Sequence, residues 1–294
     1  MRIKKNTWLA VGWLLLLLLI SFVGDLLSRR KILSEFEDGA GPIMSVYFLA
    51  VGQGDATLIR TPAGEDILID GGPDNTLIKK LNRYLPINDW RIEYLILTHP
   101  DADHVNGLVE VAERYDIGTV IMTGVLDQTP AYLRLREIIE NENIQQEFIE
   151  GPRRLLLAGG VELDFFYPQQ RLVDQLIDNA NNSSLVGRLI FASTSLMFTG
   201  DLEEEEKLLK LGLELESDIY KVGHHGSADA NNGEFIRAVN PDYAVISVGL
   251  DNRYGHPDYR TLNNLQKIGA KIWRTDQDGD VAIYTDGRQI VYHP

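Results

Sequence analysis

The sequence predicts an α/β protein in which layered sheets are covered by helices. Two observations lead there. Short apolar runs recur along the chain between polar segments bearing Gly, Asp or Pro, and several of the stretches between them carry apolar residues at helical spacing. There is no internal repeat, and no low-complexity segment beyond the amino terminus.

The first element is of a different kind. Residues 8–23 read WLAVGWLLLLLLISFV, interrupted only by Gly12 and Ser21, with Arg2, Lys4 and Lys5 before them and Asp25, Arg29, Arg30 and Lys31 after. As a helix rising ~1.5 Å per residue this run covers about 24 Å, and residues 24–27 bring it close to the roughly 30 Å of a hydrocarbon core. No small-x-small cleavage site is evident after Ser21. Residues 1–28 are therefore expected to be a signal anchor, with a cleaved signal peptide as the alternative, and residues 29–43 a polar linker. Basic residues on both flanks weaken the positive-inside rule. The very short charged tip places residues 44–294 outside the cytoplasm, on a single-pass protein of the cell membrane, or secreted if the leader is cleaved.

Strands are expected at 45–51, 66–70, 92–98, 119–123, 185–191, 196–199, 219–222, 244–248, 271–274, 281–285 and 289–292. One helix face is formed by Leu77, Ile78, Leu81 and Leu85, a second by Val105, Leu108, Val109 and Ala112, and a third by Leu262, Leu265 and Ile268. Residues 202–211 read as a helix with Glu203 to Glu206 in its first turn and Gly212 as its stop. The four glutamates are expected to be a solvated helix end.

The formal net charge is −15, and separating the leader leaves −17 on residues 41–294. Sequence-independent binding of a polyanion is disfavoured by that sign. No cysteine occurs, which excludes disulfides, thiolate metal sites and a cysteine nucleophile.

Chemistry concentrates in the histidines. Five of the six, His99, His104, His224, His225 and His256, fall in polar turns directly after apolar strands; His293 reads as tail. In Thr98-His99-Pro100-Asp101-Ala102-Asp103-His104, four potential ligands follow one buried strand. If the residues alternate in direction before the next helix begins, His99 and Asp101 aim at one point and Asp103 and His104 at its neighbour. That suits two cations about 3.5 to 4 Å apart.

His99-x-Asp101-x-Asp103-His104 resembles the metal-binding motif of the metallo-β-lactamase superfamily, with Asp101 in place of its second histidine. Further landmarks follow in order: Ile67-Leu68-Ile69-Asp70-Gly71-Gly72, Phe198-Thr199-Gly200-Asp201 and Val222-Gly223-His224-His225-Gly226-Ser227. Val51-Gly52-Gln53-Gly54-Asp55-Ala56 and Tyr254-Gly255-His256-Pro257 are similar to the branch that holds the C-terminal hydrolase domain of the competence protein ComEC. The resemblance implies a four-layer αββα sandwich over residues 44–294 and two divalent metal ions, Zn or Mn. Carried over, His99 and Asp101 hold the first metal, Asp103 and His104 the second, and Asp201 bridges them. One of the two adjacent histidines, His225 by preference, completes the second site, while His224 and His256 face substrate. Asp70 supports the ligand loop, and Gln53 to Asp55 form either a similar support or a plain turn.

Where many members of the superfamily supply a third histidine to the first metal, this chain has Asn179-Ala180-Asn181-Asn182-Ser183-Ser184. Asn181 and Asn182 are open either as oxygen donors or as turn residues. Loss of imidazole there and at Asp101 favours harder ions such as Mn²⁺, or a weak first site. The expected function is a metal-dependent hydrolase using a metal-activated water, most simply a phosphodiesterase, and a nuclease linked to DNA uptake if the ComEC resemblance extends to substrate. Its substrate would be single-stranded DNA or a small or surface phosphodiester. The alternatives are β-lactam, lactone or thioester hydrolysis, and a catalytically degenerate binding module.

Overall fold

The computed structural model describes Trp13, residues 34–36 and residues 41–293. Two units are distinguished, residues 1–41 and 42–294. The expected signal anchor or signal peptide at 1–28 therefore lies outside the described residues except for Trp13, as does most of the linker at 29–43. Among the described residues, no helix is long and apolar enough to cross a membrane.

The second unit contains two sheets. One holds β1 (Met44–Phe48), β2 (Thr57–Arg60), β3 (Asp66–Ile69), β4 (Arg91–Ile96), β5 (Asp116–Met122), β6 (Gln145–Phe148), β14 (Val281–Thr285) and β15 (Ile290–His293), in the order β15-β14-β1-β2-β3-β4-β5-β6. The other holds β7 (Arg153–Leu157), β8 (Val161–Tyr167), β9 (Val186–Phe191), β10 (Thr194–Phe198), β11 (Ile219–Lys221), β12 (Tyr243–Ile246) and β13 (Lys271–Arg274), in the order β13-β12-β11-β10-β9-β8-β7. The helices are α1 (Thr76–Tyr84), α2 (Ala102–Arg114), α3 (Pro130–Asn141), α4 (Glu206–Lys210), α5 (Gly233–Val239), α6 (Tyr259–Lys267) and the short α7 (Thr275–Asp278).

Period-two alternation sorts the strand residues into layers. Ile59, Ile67 and Ile96 point between the sheets and meet Leu163, Phe165 and Phe198 there. Their neighbours Leu58, Leu68 and Leu95 point the other way, against Leu81, Leu108 and Leu135 of α1, α2 and α3. On the far side Met197, Tyr220 and Ala244 pack under Leu208, Phe235 and Leu265 of α4, α5 and α6. The result is a mixed α/β two-sheet sandwich with helices on both outer faces. Strands β3 to β6 are mutually parallel, as are β10 to β13. The carboxyl ends of such strands are where an open α/β sheet presents its loops to a ligand.

All eleven expected strands are present, two with the expected ends (271–274 and 281–285) and nine with shifted ones. The expectation omits β2, β6, β7 and β8. Strand β6 closes its sheet as a polar edge, reading QQEF, while β7, reading RRLLL, is a short edge strand whose leucines follow two arginines without alternation. The alternation of Val161, Leu163 and Phe165 around Glu162 and Asp164 in β8 is legible, and all three are buried. Two expectations need correction. His293 is not tail: it ends β15, paired opposite Ala282, with its ring edge-on to Tyr284. The helix expected at 202–211 is confined to Glu206–Lys210, because the chain before it turns Glu205 inward.

Candidate metal centre

Loops from both sheets converge at one edge. Asp70 directly follows β3 and is buried; its Oδ1 accepts from the Thr98 backbone N–H at 2.8 Å and its Oδ2 from Thr98 Oγ1 at 2.7 Å. The same Oδ2 lies 2.9 Å from His104 Nδ1. With its proton given to Asp70, Thr98 Oγ1 is left to accept from His99 Nδ1 at 3.0 Å. Asp103 and His104 do not alternate along an extended segment as expected. Helix α2 already begins at Ala102, so both stand in its first turn. That helix closes onto the Asp70 loop because Gly71 and Gly107 touch: a Cβ at Gly107 would come within 2.0 Å of Gly71 O.

His225 is held in the same manner from the other sheet. Its Nδ1 lies 3.0 Å from the Ser247 carbonyl and 3.2 Å from Asp55 Oδ1. Behind it Lys221, buried at the end of β11, donates from Nζ to Asp55 Oδ2 at 2.7 Å and to the Val222 carbonyl at 2.9 Å. Lys221 has no counterpart in the expected site. A lysine read inside the apolar strand 219–222 was its only signal.

Each of the three imidazoles thus has Nδ1 taken by an acceptor and Nε2 turned inward, the orientation that metal-ligating histidines adopt. Nε2 of His104 lies 3.3 Å from Asp201 Oδ2, and Nε2 of His225 lies 3.2 Å from Asp103 Oδ2 and 3.6 Å from Asp201 Oδ2. Nε2 of His99, Nε2 of His104 and Oδ1 of Asp201 are buried without any hydrogen-bond partner. Buried polar atoms are otherwise almost always satisfied, so these atoms fit a divalent cation. His99, His104 and Asp201 form one compact donor group, and Asp103, His104 and His225 another.

The electrostatics agree. Burial opposes protonation of His225, but Asp201 and Asp55 outweigh it and push its pKa up to about 10. Burial likewise opposes His104, and Asp201 and Asp70 raise it well above the usual histidine range. Asp201, although buried, is held well below the carboxylate range by His104 and His225. His99 is the exception, since burial and the charge of His104 bring it down to about 3. In the metal-free protein, protons on His104 and His225 balance the carboxylates that a cation would otherwise balance.

The remaining expected residues stand around this centre. Asp101 is the N-cap residue of α2, its side chain 42% exposed and its Oδ2 3.8 Å from His99 Nε2, outside the compact donor groups found among the described residues. His224 is part-exposed at the rim, with Nε2 3.9 Å from Asp201 Oδ2 and Nδ1 3.5 Å from Glu203 Oε1. His256 meets it edge to face at 5.8 Å and stacks on exposed Tyr254, over which Arg253 lies. Asn182 Oδ1 accepts from the Glu203 N–H, and Asn181 Nδ2 donates to Glu203 Oε1. The asparagine run is therefore tied to Glu203.

The four glutamates are not all a solvated helix end: Glu206 is exposed in the first turn of α4, but Glu205 is not. Glu205 is fully buried and accepts from the N–H groups of Asn231 and Asn232 and from Asn232 Nδ2, at 2.9 to 3.0 Å. Sequence periodicity cannot reveal this, because the partner asparagines lie more than twenty residues away.

Residues 49–249 match the family model described as the metallo-β-lactamase superfamily. Competence protein ComA of Neisseria gonorrhoeae is 32% identical over 239 residues, covering 78% of this chain and 30% of that protein. ComE operon protein 3 of Bacillus subtilis is 28% identical over 255 residues, covering 80% of this chain and 32% of that protein. This chain thus spans about a third of the length of those ComEC-like relatives. The metallo-β-lactamase fold protein YhfI of Bacillus subtilis superimposes with a TM-score of 0.57 at 11% identity, over 83% of this chain and all of that one, which is a likeness of fold. With two-thirds of its length matched by the family model and inward-facing imidazoles at the shared edge of its sheets, the chain belongs to the metallo-β-lactamase superfamily.

Proposed function

We propose that this protein is a metal-dependent phosphodiesterase, held at the membrane by its apolar leader with residues 44–294 outside the cytoplasm. The observation that carries the hydrolase reading is the set of three imidazoles whose Nε2 atoms converge on Asp103 and Asp201. In this reading His99, with Asp101 at the rim, would hold a first ion, Asp103, His104 and His225 would hold a second, and Asp201 would be available to both. Divalent cations bound there would supply a Lewis acid to a phosphoryl oxygen and lower the pKa of water toward neutrality.

The chain's own residues do the rest. Asp70, Thr98, Asp55 and the Ser247 carbonyl fix the rings. His224, with its Nδ1 3.5 Å from Glu203 Oε1, stands at the rim, where it would serve as acid to a leaving oxygen. His256 is held toward its neutral form by burial and by His224 and His225, which makes it an acceptor or a packing surface rather than the acid. Arg253 adds a cation beside this rim. The donor set is rich in carboxylate oxygen and lacks the third histidine, which supports phosphodiester over β-lactam chemistry.

The similarity to competence proteins supports a nucleic-acid phosphodiester as one substrate. The charge of −17 on residues 41–294 ranks a small or surface phosphodiester above a long polyanion. The test is hydrolysis of bis-p-nitrophenyl phosphate, single-stranded DNA, phosphorylcholine esters and nitrocefin by the purified full chain with Mn²⁺ or Zn²⁺. Turnover of a phosphodiester without turnover of nitrocefin is expected. Nitrocefin turnover alone would overturn the reading.

A further inference from the structure

We propose that Asn231 is a positioning residue for the candidate metal centre, acting as a clasp on the loop that carries His225. The inference rests on the reading of His225 as a metal ligand. His224, His225 and Gly226 are three consecutive residues in the left-handed region, with φ of 46°, 51° and 81°. Two of them are not glycine, and a left-handed turn of such residues persists only where its surroundings impose it.

One side chain spans that turn. Asn231 Nδ2 donates to the Gly223 carbonyl at 2.8 Å and to the Ser227 carbonyl at 2.9 Å, the residues immediately before and after the left-handed stretch. Its Oδ1 accepts from Tyr220 OH at 2.8 Å, and that hydroxyl oxygen accepts from the Gly223 N–H at 3.2 Å. Its backbone N–H donates to Glu205 Oε1 at 2.9 Å. Asn231 is 2% exposed, so water does not replace these bonds.

The network also reaches the other ligand loop. Glu205 lies four residues beyond Asp201, and the His224 N–H donates to the Gly200 carbonyl at 3.1 Å. Asn231 and Glu205 together therefore set where His225 Nε2 stands relative to Asp201 Oδ2. Outer residues that orient metal ligands typically change metal affinity by about 10- to 100-fold when removed.

Asn231→Asp keeps the shape and the acceptor for Tyr220 but turns an oxygen toward both carbonyls. Measured on metal-free full-length protein by chelator competition with Mn²⁺ and Zn²⁺, it should bind at least about 10-fold more weakly than wild type. The His225 imidazole signal in a ¹⁵N–¹H spectrum should move with it. Should Asn231→Asp not fold, Tyr220→Phe removes only the hydroxyl behind the clasp and should still weaken metal binding several-fold. Leu135→Ala, in α3 and far from the loop, is the control: it should lower Tm without changing metal affinity. A folded Asn231→Asp, or in its absence Tyr220→Phe, that retains wild-type affinity and the wild-type His225 signal would overturn the proposal. Wild-type protein that binds no metal would overturn the metal-centre reading itself.

Discussion

Lys221 Nζ lies 2.7 Å from Asp55 Oδ2, and the pair is buried between the two sheets directly behind His225. Charge removal on one side strands the other. Burial would raise the carboxyl of Asp55, but Lys221 and His225 together hold it below the usual range. Lys221→Met is expected to cost up to about 3–5 kcal/mol by leaving the buried carboxylate with His225 as its remaining ion-pair partner. The double variant Lys221→Met, Asp55→Asn should recover part of that loss. Urea unfolding of both variants measures it, and a Lys221→Met protein as stable as wild type would contradict the arrangement.

Metal binding should release protons. His104 and His225 carry protons in the metal-free protein, with His225 up to about 10, and a ligating Nε2 must give its proton up. Affinity for Mn²⁺ or Zn²⁺ should therefore rise between pH 6 and pH 9. Calorimetry in two buffers of different ionisation enthalpy counts the protons lost. Uptake of protons, or none exchanged, would contradict this.

Asp70 supports His104 and, through Thr98, His99. Asp70→Asn leaves His104 Nδ1 without its carboxylate and is expected to weaken metal affinity by about 10- to 100-fold. His104→Ala and Asp201→Ala should reduce phosphodiester turnover to background while near-ultraviolet dichroism remains that of a folded protein.

Glu205 gives a pH signature to stability. Burial pushes its carboxyl from 4.5 up to about 8, against the N–H donors of Asn231 and Asn232. The folded protein holds this proton more tightly than the unfolded chain, so the associated stability is complete below pH 4.5 and is lost as pH rises through 8. Glu205→Gln should flatten the decline between pH 5 and pH 9 by a few kcal/mol, at about 1.36 kcal/mol per pH unit. Equal slopes for the two proteins in urea unfolding would refute it.

The fold was largely legible where pattern is local. Central strands such as Ile117 to Met122 are mostly apolar, and the α2 face repeats Val105, Leu108 and Ala112 at helical spacing, so each segment declares its own state. The edge strands β6 and β7 do not, since QQEF is polar and RRLLL has no alternation to mark its two faces. At the centre, His99, His104, Asp201 and His225 were readable from motifs at strand ends. Lys221, Glu205 and Asn231 were not. Their roles are set by partners up to 166 residues away, and a lone lysine in a strand or a glutamate in a charged run looks the same whether it is buried or solvated.

The convergence of loops from both sheets has a temporal consequence. Asp55 precedes β2, whereas Ser247 and His256 follow β12, so the support of His225 joins the two ends of the domain. A chain emerging from its amino terminus supplies the loops after β3 and β4 long before the second sheet exists, and β14 and β15 of the first sheet come last. Contacts of such sequence separation form late. Hydrolytic competence would therefore appear all at once, near the end of synthesis, and a partly made or partly unfolded chain would stay chemically silent.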